Sequence, residues 1–148
     1  METRKITARW VKNWQFVATD SGGHSVVMDS PALGENSGMQ PAQLMLIALA
    51  GCTAMDVISI LQKKRQNVLD FEVNVTGTRR EEHPKAWTAM HVEYVVWGRD
   101  IDPAAVHRAI ELSETKYCPV SATLRQCVEL SHSVRIEEID QAKETREK

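Results

Sequence analysis

Two cysteines, far apart in the chain, are the residues best suited to chemistry. Cys118 directly precedes Pro119, a pair typical of a helix N-cap followed by a first-turn proline. Exposed backbone N–H groups and the positive end of the helix dipole favour a thiolate there, and the thiolate is the nucleophilic form of cysteine. Cys118 is therefore a candidate reactive residue. The alternative is a small apolar residue that only fills a helix junction.

Cys52 lies beside Gly51 in an apolar segment that is expected to be helical. Burial in such a segment raises the pKa of a thiol and makes it inert, whereas a nearby cation reverses this effect. Asp56 follows Cys52 by four residues and so lies on the same helical face. A buried carboxylate needs a partner. Asp56 therefore either orients an arginine toward the sulfur or forms a structural pair.

The number and spacing of the three cysteines argue against a disulfide framework and against a zinc site. Three cysteines, widely separated, do not suit a structural disulfide framework. No Cys-X-X-Cys or His-Glu-X-X-His spacing is present, so nothing in the sequence favours a zinc site. Cys127 shows no capping or charge signal and is expected to be structural.

Composition narrows the class of protein. The chain has 148 residues, 43% hydrophobic and 26% charged, which is typical of one soluble globular domain. A net charge of -2 gives no reason to expect a nucleic acid or an anionic membrane as partner. The first twenty residues lack a signal-peptide pattern, and the apolar run 44–55 is shorter than a membrane span. A cytoplasmic location is the expectation.

Hydrophobic periodicity predicts the order of elements. Alternating residues predict three short strands before residue 29, with a turn at 20–23. Pro41 suits the first position of a long helix that runs to about residue 66. We then predict strands at about 71–80 and 90–96. A helix opened by Asp102 and Pro103 follows at about 102–117. A short helix begins at 119, after Cys118, and the last strand spans about 128–136.

This order predicts an α+β fold with two antiparallel sheets around a long buried central helix. The first three strands would form one sheet and the last three strands the other. The first half of that helix is apolar on every face and must be covered all round. One short chain supplies little cover, so we expect a second copy and hence a homodimer. We expect a single domain over 1–136 and a charged tail, 137–148, that frays.

Two segments carry a resemblance to a known family. The stretch 40–57, with Gly-Cys-Thr-Ala-Met-Asp at 51–56, and the later Lys-Tyr-Cys-Pro-Val-Ser at 116–121 resemble the OsmC/Ohr family of osmotically inducible and organic hydroperoxide resistance proteins. The resemblance runs from about Ile6 to Ile136 and is strongest to the YhfA-like branch. It implies an intertwined homodimer whose two active sites lie at the subunit interface.

The resemblance also implies a reaction, a thiol-dependent reduction of peroxides in oxidative stress defence. Cys52 would be the peroxidatic cysteine, forming a sulfenic acid, and Cys118 the resolving cysteine, forming a disulfide that an external dithiol reduces. Folding must then bring the two sulfurs within bonding reach. Sulfur carries the electrons, so no metal, flavin or haem is needed. The small hydroperoxide is expected against three apolar side chains of the helix, those of Met45, Leu49 and Met55.

Two departures from the hydroperoxide-resistance branch concern the activation of Cys52. That branch has a glutamate where this chain has Ala42, and the glutamate helps to hold an arginine from the loop between the first two strands. Here that loop, 11–13, contains no arginine. An activating cation would have to be one of the remaining candidates, namely Arg9, Lys12, Arg79 or Arg80. For Arg79 and Arg80 the alternative is a solvated strand end.

Two other functions stay open at this stage. One is a dimer that binds a small apolar ligand after losing fast thiol chemistry. The other is a redox sensor in which a bond between Cys52 and Cys118 changes the shape of the dimer. Peroxide consumption by the reduced protein separates the enzyme from the binding protein, and oxidation without turnover favours the sensor.

Overall fold

The computed structural model describes residues 1–140 and contains two compact units. The first unit spans Met1–Met45, and the second begins at Leu46. In the first unit, β1 (Ile6–Lys12), β2 (Gln15–Asp20) and β3 (Ser25–Met28) form an antiparallel sheet in that order. The turn predicted between the second and third strands is present. The Asp20 carboxylate accepts the backbone N–H groups of Gly22 and His24 there, at 2.8 and 2.9 Å.

The long helix α1 (Gln43–Lys63) begins just after Pro41, as predicted. Its buried residues recur every four positions and so form one stripe along the helix: Leu49, Thr53, Val57 and Leu61. The expectation that one chain leaves this helix short of cover agrees with the exposure of its other faces, since Met55 is 73% exposed. The helix is longer than the apolar run in the sequence. By length and composition alone it could cross a membrane.

The second unit contains a three-stranded sheet in the order β4 (Asn67–Arg79), β5 (Trp87–Arg99) and β6 (Glu129–Glu138). β4 and β5 are antiparallel, but β6 pairs with β5 in parallel. The prediction of purely antiparallel sheets was therefore wrong for β6. The reason is the connection from β5 to β6, which contains helices and forms a crossover long enough to return the chain in the same direction.

Two helices lie in that crossover. α2 (Pro103–Leu112) is capped by the Asp102 carboxylate, which accepts the Ala104 N–H at 2.9 Å, as the sequence predicted. Instead of continuing to residue 117, the α-helix changes into a π-helical turn over Ser113–Tyr117. α3 (Pro119–Leu124) follows. The core of the second unit combines the α1 stripe with buried side chains of β5 and α2.

The end of the chain differs from the prediction in one detail. The tail was expected to begin at residue 137, but Glu137 and Glu138 still belong to β6. The Ile139 N–H also donates to the carbonyl of Gly98, at 2.8 Å. The remainder of the predicted tail, 141–148, lies outside the described residues. The α+β architecture, with two three-stranded sheets and a long helix, is confirmed.

Candidate active site

α1 and the start of α3 bring the two candidate cysteines together. Cys118 is the N-cap of α3, and its sulfur accepts the backbone N–H of Ser121 at 3.3 Å. Cys52 projects from the middle of α1, 66 positions earlier in the chain. The two Sγ atoms lie 2.7 Å apart, share a hydrogen bond and belong to free thiols. The sulfurs are therefore within reach of a covalent bond, which requires about 2.05 Å.

Asp56 completes a compact group of donor atoms around the sulfurs. One ligand atom from each of Cys52, Asp56 and Cys118 lies within 4.8 Å of the others. The hydroxyl of Ser113, a fully buried residue, donates to the Asp56 carboxylate at 2.9 Å. The sequence left two roles open for Asp56, and the contact with Ser113 matches the structural one.

The environment of Cys52 favours its neutral thiol. Burial is the main cause, and together with the hydrogen bond to Cys118 it raises the pKa of Cys52 to about 11. A backbone hydrogen bond from Val120 acts in the opposite direction, and the negative charge of Asp56 adds a smaller increase. At pH 7 Cys52 is therefore predominantly a neutral thiol.

The reactivity of Cys52 is expected to depend steeply on pH. Because only the thiolate is alkylated, the rate of Cys52 modification by iodoacetamide should rise about tenfold per pH unit from pH 7 to pH 10. Mass spectrometry of the peptide that contains Cys52 measures this rate separately from the exposed Cys127. A rate that levels off below pH 8 would contradict the raised pKa and would indicate a cation at the sulfur.

The cations proposed to activate Cys52 lie in different surroundings. Arg9 is an exposed residue of β1, and Lys12 forms an ion pair within the first unit at 2.9 Å. The guanidinium of Arg79 lies over the Trp87 ring, 4.9 Å from its centre. Arg80 is exposed directly after β4. Their activating role stays a prediction.

The side chains proposed to form the substrate pocket differ in their exposure to solvent. Leu49 belongs to the core and is 1% exposed, whereas Met45 and Met55 are 41% and 73% exposed. Their shared role in binding stays a prediction. A cavity of about 400 Å³ opens beside Asp56 instead, with this lining: Asp56, Ser59, Ile60, Lys63, Lys64, Leu112 and Tyr117.

Sequence reasoning missed the polar groups that surround the cysteine pair. Ser113 follows the buried Ala109 by four residues, so a polar residue on the apolar face of α2 was the available signal. The hydroxyl of Tyr94 donates to Glu114 at 3.4 Å, and Glu114 also contacts His132 at 3.1 Å. Burial raises the pKa of Tyr94. Tyr94 had no comparable signal, since it occupies an ordinary inward position of a strand.

Comparison with known proteins agrees with the fold. The family model of the OsmC-like proteins matches residues 34–133. Protein YhfA of Escherichia coli K12 is 42% identical over 131 residues, which cover 86% of this chain and 94% of that protein. A hypothetical protein from Aquifex aeolicus VF5 is 28% identical, with a TM-score of 0.83 over 95% of this chain and all of that one.

A more distant likeness involves an organic hydroperoxide resistance protein from Elizabethkingia anophelis. Its structure gives a TM-score of 0.67 and covers 93% of this chain and 98% of that one. The identity is only 16%, so this likeness concerns the fold alone. The family model and the identity to YhfA, in contrast, show the family directly. The chain belongs to the OsmC-like protein family.

Proposed function

We propose that this protein is a thiol-dependent peroxide reductase acting on small organic hydroperoxides or hydrogen peroxide. One observation carries the proposal: the Sγ atoms of Cys52 and Cys118 lie 2.7 Å apart, with Cys118 buried and Cys52 partly buried. A two-cysteine peroxidase needs a nucleophilic sulfur and a second thiol within bonding reach. The proposed biological role is defence against oxidative stress.

The proposed reaction has three balanced steps. The Cys52 thiolate attacks one oxygen of the hydroperoxide, and the O–O bond breaks. Cys52 becomes a sulfenic acid, while the other oxygen takes a proton and leaves as an alcohol. The Cys118 thiol then attacks this sulfur, which forms the disulfide and releases water. An external dithiol reduces the disulfide by exchange, so that both thiols return and the reductant leaves as its own disulfide.

The second chain and the location of the protein belong to the same proposal. Three large apolar residues of α1 are exposed in one chain, namely Met45, Ile47 and Met55. Exposed apolar surface of this kind is what a homodimer interface covers. We place the dimer in the cytoplasm, where dithiol reductants keep thiols reduced.

The fold of the hydroperoxide resistance protein from Elizabethkingia anophelis supports the proposed activity in a limited way. It shows that the OsmC-like fold occurs in a protein linked to hydroperoxide resistance. At 16% identity it does not carry the activity to this chain by itself. The proposed activity therefore depends on the reactivity of Cys52 and Cys118, which can be measured directly.

The proposed function is tested by following hydroperoxide loss with the reduced protein. Without reductant, one equivalent of tert-butyl hydroperoxide per chain should be consumed, and an added dithiol should make consumption continuous. Cys127→Ser is the matched control and should behave like the wild type, since Cys127 is exposed and is not part of the pair. Consumption no faster than that of fully alkylated protein would refute the proposal.

A second candidate function is redox sensing without efficient turnover. Burial of Cys52 beside Cys118 favours it, because burial raises the pKa of Cys52 and a neutral thiol is a poor nucleophile toward peroxide. In the same assay a sensor would consume one equivalent and form the disulfide. An added dithiol would then fail to give continuous consumption.

A further inference from the structure

The cysteine pair and Asp56 form a group of atoms that metal ions bind. Two sulfurs and one carboxylate oxygen lie within 4.8 Å of one another. Thiolate and carboxylate are both ligands of Zn²⁺, and thiolates also select soft ions such as Cd²⁺. The sequence shows no zinc spacing because one sulfur ligand lies 66 positions from the other. Only the Cys52 and Asp56 pair, four residues apart on α1, is local.

The distances suit a tetrahedral ion after a small adjustment. With Zn–S bonds of about 2.3 Å, two sulfurs on one tetrahedral ion lie about 3.8 Å apart. The present separation is 2.7 Å, so the sulfurs must move apart by about 1 Å. Cys52 is only partly buried and can accommodate this shift by a rotation of its side chain.

Hydrogen bonds hold two of the three ligands in place. The Ser113 hydroxyl donates to Asp56 at 2.9 Å, and the Ser121 N–H donates to the Cys118 sulfur at 3.3 Å. Ser113 and Ser121 are fully buried. Groups that hold metal ligands in position through hydrogen bonds strengthen metal binding. These two hydrogen bonds therefore hold Asp56 and Cys118 in position to bind a metal ion.

The ligands favour a divalent cation by their charge, whereas the cavity beside them does not. Two thiolates and a carboxylate carry three negative charges, which exceed the two positive charges of the ion. The cavity of about 400 Å³ has Asp56 in its lining and so opens this one ligand to solvent. Lys63 and Lys64 line the same cavity and repel a free cation. Affinity must therefore come from the sulfur bonds and not from the general field of the cavity.

We propose that the reduced protein binds one Zn²⁺ or Cd²⁺ ion per chain through Cys52, Cys118 and Asp56, with water in the fourth position. The two thiols each release a proton to solvent as the metal–sulfur bonds form. The bound ion occupies both sulfurs and so blocks their attack on a peroxide. When the ion is absent, a hydroperoxide can take two electrons from the pair and leave as an alcohol and water, and the resulting disulfide can no longer bind the ion through its thiolates.

The proposal is tested by titrating the reduced, metal-free full chain with Cd²⁺ in the absence of oxygen. The Cd²⁺–thiolate charge-transfer absorption should grow to one ion per chain and decrease when Zn²⁺ is added in competition. Cys127→Ser should titrate like the wild type. Cys52→Ser and Cys118→Ser should each lose the two-thiolate absorption. Asp56→Asn should weaken binding by about tenfold or more.

Several results would overturn the site. An unchanged absorption in Cys52→Ser or Cys118→Ser would place the ion elsewhere, and an unchanged affinity in Asp56→Asn would remove the carboxylate from it. Absence of saturable binding by the folded wild type would overturn it entirely. Circular dichroism of each variant excludes unfolding as the cause of a loss. The titration uses no peroxide, so its outcome is independent of the proposed peroxidase activity.

Discussion

Cys52→Ser is expected to lower the rate of peroxide consumption by about three orders of magnitude or more, to the level of a solution without reactive protein. A serine hydroxyl is not ionised near neutral pH, so the variant has no anionic nucleophile at this position. The negative Asp56, which raises the pKa of Cys52, would oppose rather than assist ionisation of the hydroxyl. Stopped-flow measurement of hydroperoxide loss with a dithiol in excess gives the rate.

Cys118→Ser should separate the two chemical steps. Its Cys52 can still attack the first hydroperoxide, but the sulfenic acid then lacks the thiol that lies 2.7 Å away in the wild type. We expect one equivalent to be consumed and turnover to slow strongly. A sulfenic-acid probe should label Cys52 in this variant and give little signal in the wild type. If Cys52→Ser turned over as fast as the wild type, the enzyme interpretation would be refuted. If Cys118→Ser did so, Cys118 would not be the resolving cysteine.

Leu61→Ala should lower the free energy of unfolding by about 3 kcal/mol, within a range of about 2 to 5 kcal/mol. Leu61 lies on the buried stripe of α1, is 0% exposed and packs in the core of the second unit. Truncation removes apolar contacts and leaves a cavity that a packed core fills only in part. Urea denaturation followed by circular dichroism measures the change. A loss below about 1 kcal/mol would contradict a packed core at this position.

Met55→Ala is the matched control on the same helix. Met55 is 73% exposed in one chain, so its truncation should change the stability of that chain by no more than about 0.5 kcal/mol. In a dimer that covers this face, the same substitution should weaken self-association. Sedimentation equilibrium of the wild type and Met55→Ala measures it. A wild type that stays monomeric at all concentrations would refute the proposed dimer.

Elements with strong local signals could be predicted from the sequence. Pro41 marked the start of α1, and Asp102 with Pro103 marked the start of α2. The Cys118 and Pro119 pair marked the N-cap of α3, because capping depends on a few neighbouring residues. Alternating apolar residues located the six strands, because side chains along a strand point to opposite faces in turn.

Features that depend on distant contacts could not be predicted in the same way. The parallel pairing of β6 with β5 leaves no mark in the alternation of either strand. The contact of Ser113 with Asp56 joins residues 57 positions apart, so neither segment alone indicates it. The high pKa of Cys52 also follows from burial among distant segments. Only the resemblance to a family joined Cys52 to Cys118 before the fold was known.

The most direct measurement is the location of the disulfide after the reduced protein reacts with one equivalent of hydroperoxide. Peptide mapping by mass spectrometry, without prior reduction, identifies the linked cysteines and the loss of two hydrogen atoms. The account predicts a bond between Cys52 and Cys118 within one chain, with Cys127 still a free thiol. A bond that involves Cys127, or an unreacted pair alongside intact hydroperoxide, would contradict it.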